Sequence, residues 1–126
     1  MKTILVDAVY CFVIPMGEGF GIHREMHEML ETFPNRKIIL TGANDEQAKK
    51  YGLDKVPYEV FSLKHNPEKD DPKYYETMLQ HFGLTKDDVV YFEHAPSAVE
   101  SARKAEITTF LYNEKKADLA ALKQFL

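Results

Sequence analysis

Five short apolar runs, separated by stretches of helical periodicity, constrain this 126-residue chain more than any other feature. They are Thr3 to Asp7 (TILVD), Lys37 to Thr41 (KIILT), Glu59 to Ser62 (EVFS), Val89 to Glu93 (VVYFE) and Thr108 to Tyr112 (TTFLY). Most are near-continuously apolar rather than alternating, the pattern of strands covered on both faces. Between them, residues 22 to 33 line up Ile22, Met26, Met29, Leu30 and Phe33 on one helical face. Residues 44 to 51 make a shorter helix closed by Gly52. Asp71 followed by Pro72 opens a helix to about His81, with Gly83 as its stop. Pro96 opens another, and Asn113 is expected to cap a last helix carrying Leu119, Leu122 and Leu126. Strands alternating with helices imply right-handed crossovers, hence a parallel sheet in a three-layer, Rossmann-like α/β fold.

The length suits one domain spanning residues 1–126, and 44% apolar with 29% charged residues is ordinary for a chain with a real core. The net charge is −4 and the basic residues form no run, which argues against nucleic acid or an anionic membrane as partner. The single cysteine excludes an internal disulfide. Asp7 interrupts the first apolar stretch, and Ala8 to Met16 is too short to span a bilayer, so the chain reads as cytoplasmic.

In open α/β sheets, ligands bind beyond the carboxyl ends of the strands. That singles out Asp7, Thr41, Ser62 and Glu93, together with the loops Tyr10 to Gly21 and Lys64 to Asp71. A carboxylate ending the run Ile4-Leu5-Val6 is costly unless paired or used, although an aspartate there can also simply cap a loop. Thr41 and Gly42 offer a hydroxyl and an amide, enough to hold one phosphate oxygen; alone, the pair is just a turn. Lys69, in EKDDP, can balance both Asp7 and an anionic substrate. Glu93 supplies a second carboxylate for a hard cation. His94 reads as a loop histidine and Cys11 as a small buried hydrophobe. His23 and His27 lack the glutamate of a zinc-protease helix, since Arg24 follows the first histidine. Gly17, Gly19 and Gly21 do not fit a dinucleotide loop.

Taken in order, these segments resemble the haloacid dehalogenase superfamily, whose commonest members are magnesium-dependent aspartyl phosphatases. ILVDAVYCFV is similar to the first motif, with Asp7 as nucleophile, and IILTGAN to the second, with Thr41 and Gly42 on phosphate. KDDP puts Lys69 at the motif lysine, and YFEH puts Glu93 at the acidic metal ligand. The resemblance implies strand order 5-4-1-2-3, with the first strand between the second and fourth. It also implies a weakly held magnesium on Asp7, the Val9 carbonyl and Glu93. No stretch is long enough for the cap domain of larger relatives. Such an open site suits a small phosphorylated substrate, a macromolecule, or closure by a second copy in a homo-oligomer.

The departures are specific. Val9 stands where the family's phosphatases carry a general acid and base, and it cannot move a proton. Tyr10 and Cys11 replace a small glycine and a threonine, Glu93 is one methylene longer than the usual aspartate, and Ala98 replaces a polar group. Two readings follow. One is a hydrolase or phosphotransferase for substrates with good leaving groups. The other is a non-catalytic relative that keeps the fold for binding or assembly.

Overall fold

The computed structural model describes residues 1–126. In chain order the elements are β1 (Thr3–Asp7), a hairpin of β2 (Val13–Met16) and β3 (Gly19–Ile22), α1 (Arg24–Glu31), β4 (Lys37–Thr41), α2 (Asp45–Lys50) and β5 (Glu59–Ser62). Then come α3 (Pro72–Phe82), β6 (Val89–Glu93), α4 (Pro96–Lys104), β7 (Thr108–Leu111) and α5 (Leu119–Phe125).

The five apolar runs form one parallel sheet in the order β5-β4-β1-β6-β7. The expected label 5-4-1-2-3 needs correcting, because it counted five strands and the chain has seven. The hairpin takes the second and third numbers and stands outside the sheet, as a separate antiparallel pair. With the hairpin left out of the count, the five read 3-2-1-4-5 from the β5 edge. β1 lies in the centre, between β4 and β6, with all five residues buried.

Side chains alternate across a strand, and this divides the core in two. Ile4 and Val6 pack with Met26, Leu30, Phe92 and Leu122, beneath α1 and α5. Leu5 packs with Tyr74, Tyr75, Met78, Tyr91 and Ala102, beneath α3 and α4. Asp7 shares the parity of Leu5, and Glu93 that of Tyr91, so both carboxylates belong to the α3–α4 side. Register brings them together: Val6 pairs with Phe92, which leaves Asp7 and Glu93 at neighbouring strand ends.

Local chemistry sets the helix ends. Asp71 accepts the Lys73 amide at 2.9 Å, Pro72 fills the first helical position, and Gly83 at φ 65° returns the chain out of α3. Asn44 and Gln47 form a reciprocal capping box on α2. The last helix differs from expectation. Asn113 caps only a turn, accepting the Lys115 and Lys116 amides, and Asp118 is the cap of α5. No helix is long and apolar enough to cross a membrane.

Candidate active site

The loop expected from Tyr10 to Gly21 is ordered by two devices. The Ala8 carbonyl accepts the amides of Phe12 and Val13 at 2.9 and 3.0 Å, curling the chain back immediately after Asp7. The β2–β3 hairpin then carries it outward. Tyr10 sits in this curl at φ 72°, a conformation that glycine takes without strain. Its ring packs edge-on against His94, with centroids 5.4 Å apart.

Asp7 ends the central strand, and its side chain is 4% exposed. Its Oδ1 accepts from Lys69 Nζ at 2.7 Å. Its Oδ2 accepts the Cys11 thiol at 3.3 Å and faces His94 Nδ1 within hydrogen-bond reach. Lys69, just ahead of α3, spends all three donors inside the protein: on Asp7, on Glu93 Oε1 at 2.6 Å and on the Leu40 carbonyl at 3.2 Å. Glu93 is equally committed. Its Oε1 also accepts the Tyr91 hydroxyl at 2.5 Å, and its Oε2 accepts the His94 and Ala95 amides at 3.0 and 3.1 Å.

Burial, followed by the Glu93 charge, raises Asp7 above the ordinary aspartate value. Burial would raise Glu93 too, but the Lys69 charge and the side-chain hydrogen bonds from His94, Asp7 and Lys69 together outweigh it and hold Glu93 well below the carboxylate range. Burial pulls against the charge of Lys69, yet Asp7 and Glu93 more than compensate and push its ammonium well up. His94 follows the same logic: burial opposes its charge, and bonds to Asp7 and Glu93 raise it to about 10. The group thus sets two basic side chains, Lys69 and His94, against two buried carboxyl groups. Burial, then the Asp7 charge, pushes the Cys11 thiol well up, so Cys11 enters the site as a neutral donor.

Asp7, Lys69, Glu93 and His94 line a cleft of about 330 Å³ at the carboxyl ends of the strands, with Cys11 buried behind them. Thr41 and Gly42 line one wall, as the sequence suggests for a phosphate contact. Thr41 Oγ1 accepts the Ala43 amide at 3.1 Å, and a hydroxyl that accepts still has its own proton to give. At the rim, His65 bridges Glu68 and Gln47, 2.5 Å from each. Val9 and Ala98 line the cleft and bring no titratable group. Ser62 is structural: its hydroxyl donates to the Ala43 carbonyl at 2.5 Å and accepts the Lys64 amide at 3.0 Å.

Asp7, Thr41, Gly42, Lys69, Val9 and Glu93 thus converge on one cleft. Three contributors escaped the sequence reading. Tyr91 is a core tyrosine whose hydroxyl reaches Glu93, and nothing in VVYFE distinguishes it from packing. In the sequence Cys11 reads as a small buried hydrophobe and His94 as a loop histidine, although each lies a few residues at most from a strand-end carboxylate.

The magnesium set implied by the resemblance does not fit this arrangement. Glu93 already accepts four hydrogen bonds, about the capacity of a carboxylate. The Lys69 ammonium bridges the two carboxylates in place of a shared cation, and magnesium tolerates little departure from an octahedron of oxygens.

No family model matches the chain, and no curated protein matches it. Solved structures do. One is the crystal structure of a protein assigned as a beta-phosphoglucomutase from Thermotoga maritima, superposing with a TM-score of 0.64 over 96% of this chain and 91% of that one. The two are 17% identical, so the likeness shows the fold alone: an α/β arrangement around a five-stranded parallel sheet.

Proposed function

We propose that the chain is a haloacid dehalogenase-like phosphohydrolase or phosphotransferase in which Asp7 is the nucleophile. The observation that carries this reading is the position of Asp7: it ends the central strand at the floor of the cleft, bonded to a buried lysine. In the reaction, an Asp7 oxygen attacks phosphorus and the bond to the leaving oxygen breaks, that oxygen keeping the electron pair. Water then cleaves the aspartyl phosphate, or a second acceptor takes the phosphoryl group. Lys69 keeps Asp7 ionised and oriented. His94 releases Asp7 Oδ2 as the substrate enters and turns its charge toward the phosphoryl oxygens. Thr41 and the Gly42 amide hold one of those oxygens.

Val9 offers no proton, so the leaving group must depart as a weak base. The substrate class is therefore acyl or aryl phosphates, small cytoplasmic molecules rather than sugar phosphates. Because magnesium does not fit the residues as arranged, no step is routed through it. The test is turnover of acetyl phosphate and p-nitrophenyl phosphate in metal-free buffer, with phosphate trapped on Asp7 by intact mass. Equal turnover by Asp7→Asn would remove the reading. A second reading, a non-catalytic binding protein, is favoured by one observation: both oxygens of Asp7 are already engaged within the protein. It gains if neither substrate turns over while phosphate still binds.

A further inference from the structure

Magnesium lacks a place here, but a different donor set exists on the other side of Asp7. The curl after β1 brings Cys11 Sγ back to within 3.3 Å of Asp7 Oδ2, and His94 Nδ1 approaches the same oxygen from the end of β6. One carboxylate oxygen, the sulfur and one ring nitrogen all lie within 4.8 Å of one another. A tetrahedral metal with bonds of about 2.0–2.3 Å keeps its donors roughly 3–4 Å apart. The sulfur and the oxygen already meet that spacing. The His94 ring must shift away from Asp7, and its side chain is 22% exposed at the cleft.

We propose that Asp7, Cys11 and His94 form a site for one borderline-soft transition-metal dication of the zinc type, its open coordination position facing the cleft. The site shares Asp7 with the function proposed above but does not rest on turnover. Thiolate, imidazole and carboxylate together select zinc-like ions over magnesium. Three protein ligands with one position free is the arrangement of zinc sites that take an exogenous ligand. Loading is a simple exchange: the Cys11 thiol proton and the His94 ring proton pass to solvent, the metal takes their place, and nothing is oxidised or reduced. Charge is conserved in the buried group, because the two positive charges gained replace the two protons lost. Lys69 keeps its bonds to Asp7 Oδ1 and Glu93 throughout.

The test is a titration of the full chain, stripped by a chelator, with cobalt(II) as the probe. The expected spectrum has a near-ultraviolet thiolate-to-cobalt band and tetrahedral visible bands. It saturates at one cobalt per chain, yields to zinc and ignores excess magnesium. Cys11→Ser keeps a donor to Asp7 and loses the near-ultraviolet band. His94→Ala, on an accessible loop, weakens cobalt binding at least about tenfold, the smallest loss seen even for groups that only support a ligand. A pale octahedral spectrum without the thiolate band, or a band that survives Cys11→Ser, overturns the site. Asp7-dependent turnover by stripped protein that gives no cobalt band would sink the metal site and leave the proposed reaction standing. A cobalt band without any turnover would do the reverse.

Discussion

Replacing Lys69 by methionine tests the buried charge group most directly. Methionine keeps most of the length of the side chain and removes its charge. Three contacts vanish: those to Asp7 at 2.7 Å, to Glu93 at 2.6 Å and to the Leu40 carbonyl at 3.2 Å. Two carboxylates with side chains 4% and 1% exposed are left to a single cation, His94. Removing one partner of a buried ion pair typically costs about 3–5 kcal/mol. The chain can recover part of that by protonating Asp7, which burial and Glu93 already push upward. A raised folded-state pKa means that the variant regains stability as pH falls through it. Urea unfolding followed by far-ultraviolet circular dichroism, at pH 7.5 and pH 5, measures both parts. Relative to the unmodified chain, the loss should be about 3–5 kcal/mol at the higher pH and at least ~1 kcal/mol smaller at the lower. Adding Glu93→Gln should return much of it. A loss below about 1 kcal/mol, or one that is equal at both pH values, would refute the claim that Lys69 neutralises two buried carboxylates.

Other expectations follow from the same geometry. His94, raised from 6.5 to about 10, stabilises the fold fully below pH 6.5 and progressively less toward pH 10, with an upper bound of roughly 5 kcal/mol at about 1.4 kcal/mol per unit. Thermal unfolding in metal-free buffer should trace that decline, and a His94→Asn variant should lack it; a profile shared by both proteins counts against the assignment. Val9→Asp should raise alkyl-phosphate turnover more than aryl, by up to about 10²–10⁴-fold, when initial rates are compared; no gain on either substrate favours a binding role. The Tyr74 hydroxyl donates its one proton to the Thr41 carbonyl at 2.7 Å, shared with the Phe61 carbonyl at 3.2 Å, tying β4 to β5 beside the cleft. Tyr74→Phe should therefore cost about 1–2 kcal/mol in urea unfolding, and no shift of the midpoint would mean that those carbonyls find another donor.

The sheet was legible because its strands are buried on both faces, which forces continuous apolar runs such as TILVD and KIILT. The hairpin was not. Val13–Met16 contains Pro15 and Gly19–Ile22 contains two glycines, residues that weaken a strand signal and are tolerated here because the pair stands outside the main sheet. Asp7, Thr41 and Glu93 could be singled out because polar groups at strand ends conflict with the local pattern, and Lys69 by its place in the EKDDP loop ahead of α3. His94 and Cys11 could not, since their roles arise from distance: one closes on Asp7 from 87 residues away, the other through a curl that its own sequence does not advertise. Tyr10 is a further case. Its left-handed backbone explains why a glycine would suit that position, and its ring contact with His94 accounts for what the tyrosine adds.

The hairpin also bears on how such a scaffold can change. Asp7, Lys69 and Glu93 are positioned by the central strand, its neighbour and the approach to α3, and none of them lies on β2 or β3. The Gly17-Glu18 turn at the hairpin tip is exposed, and a side-chain carbon added at Gly17 or Gly19 would meet nothing within 4 Å. Chain can therefore be spliced in at that tip while the carboxylates keep their spacing, which is set by the distance between adjacent strands. Recognition of a substrate can be rebuilt at the tip independently of the chemistry at the floor.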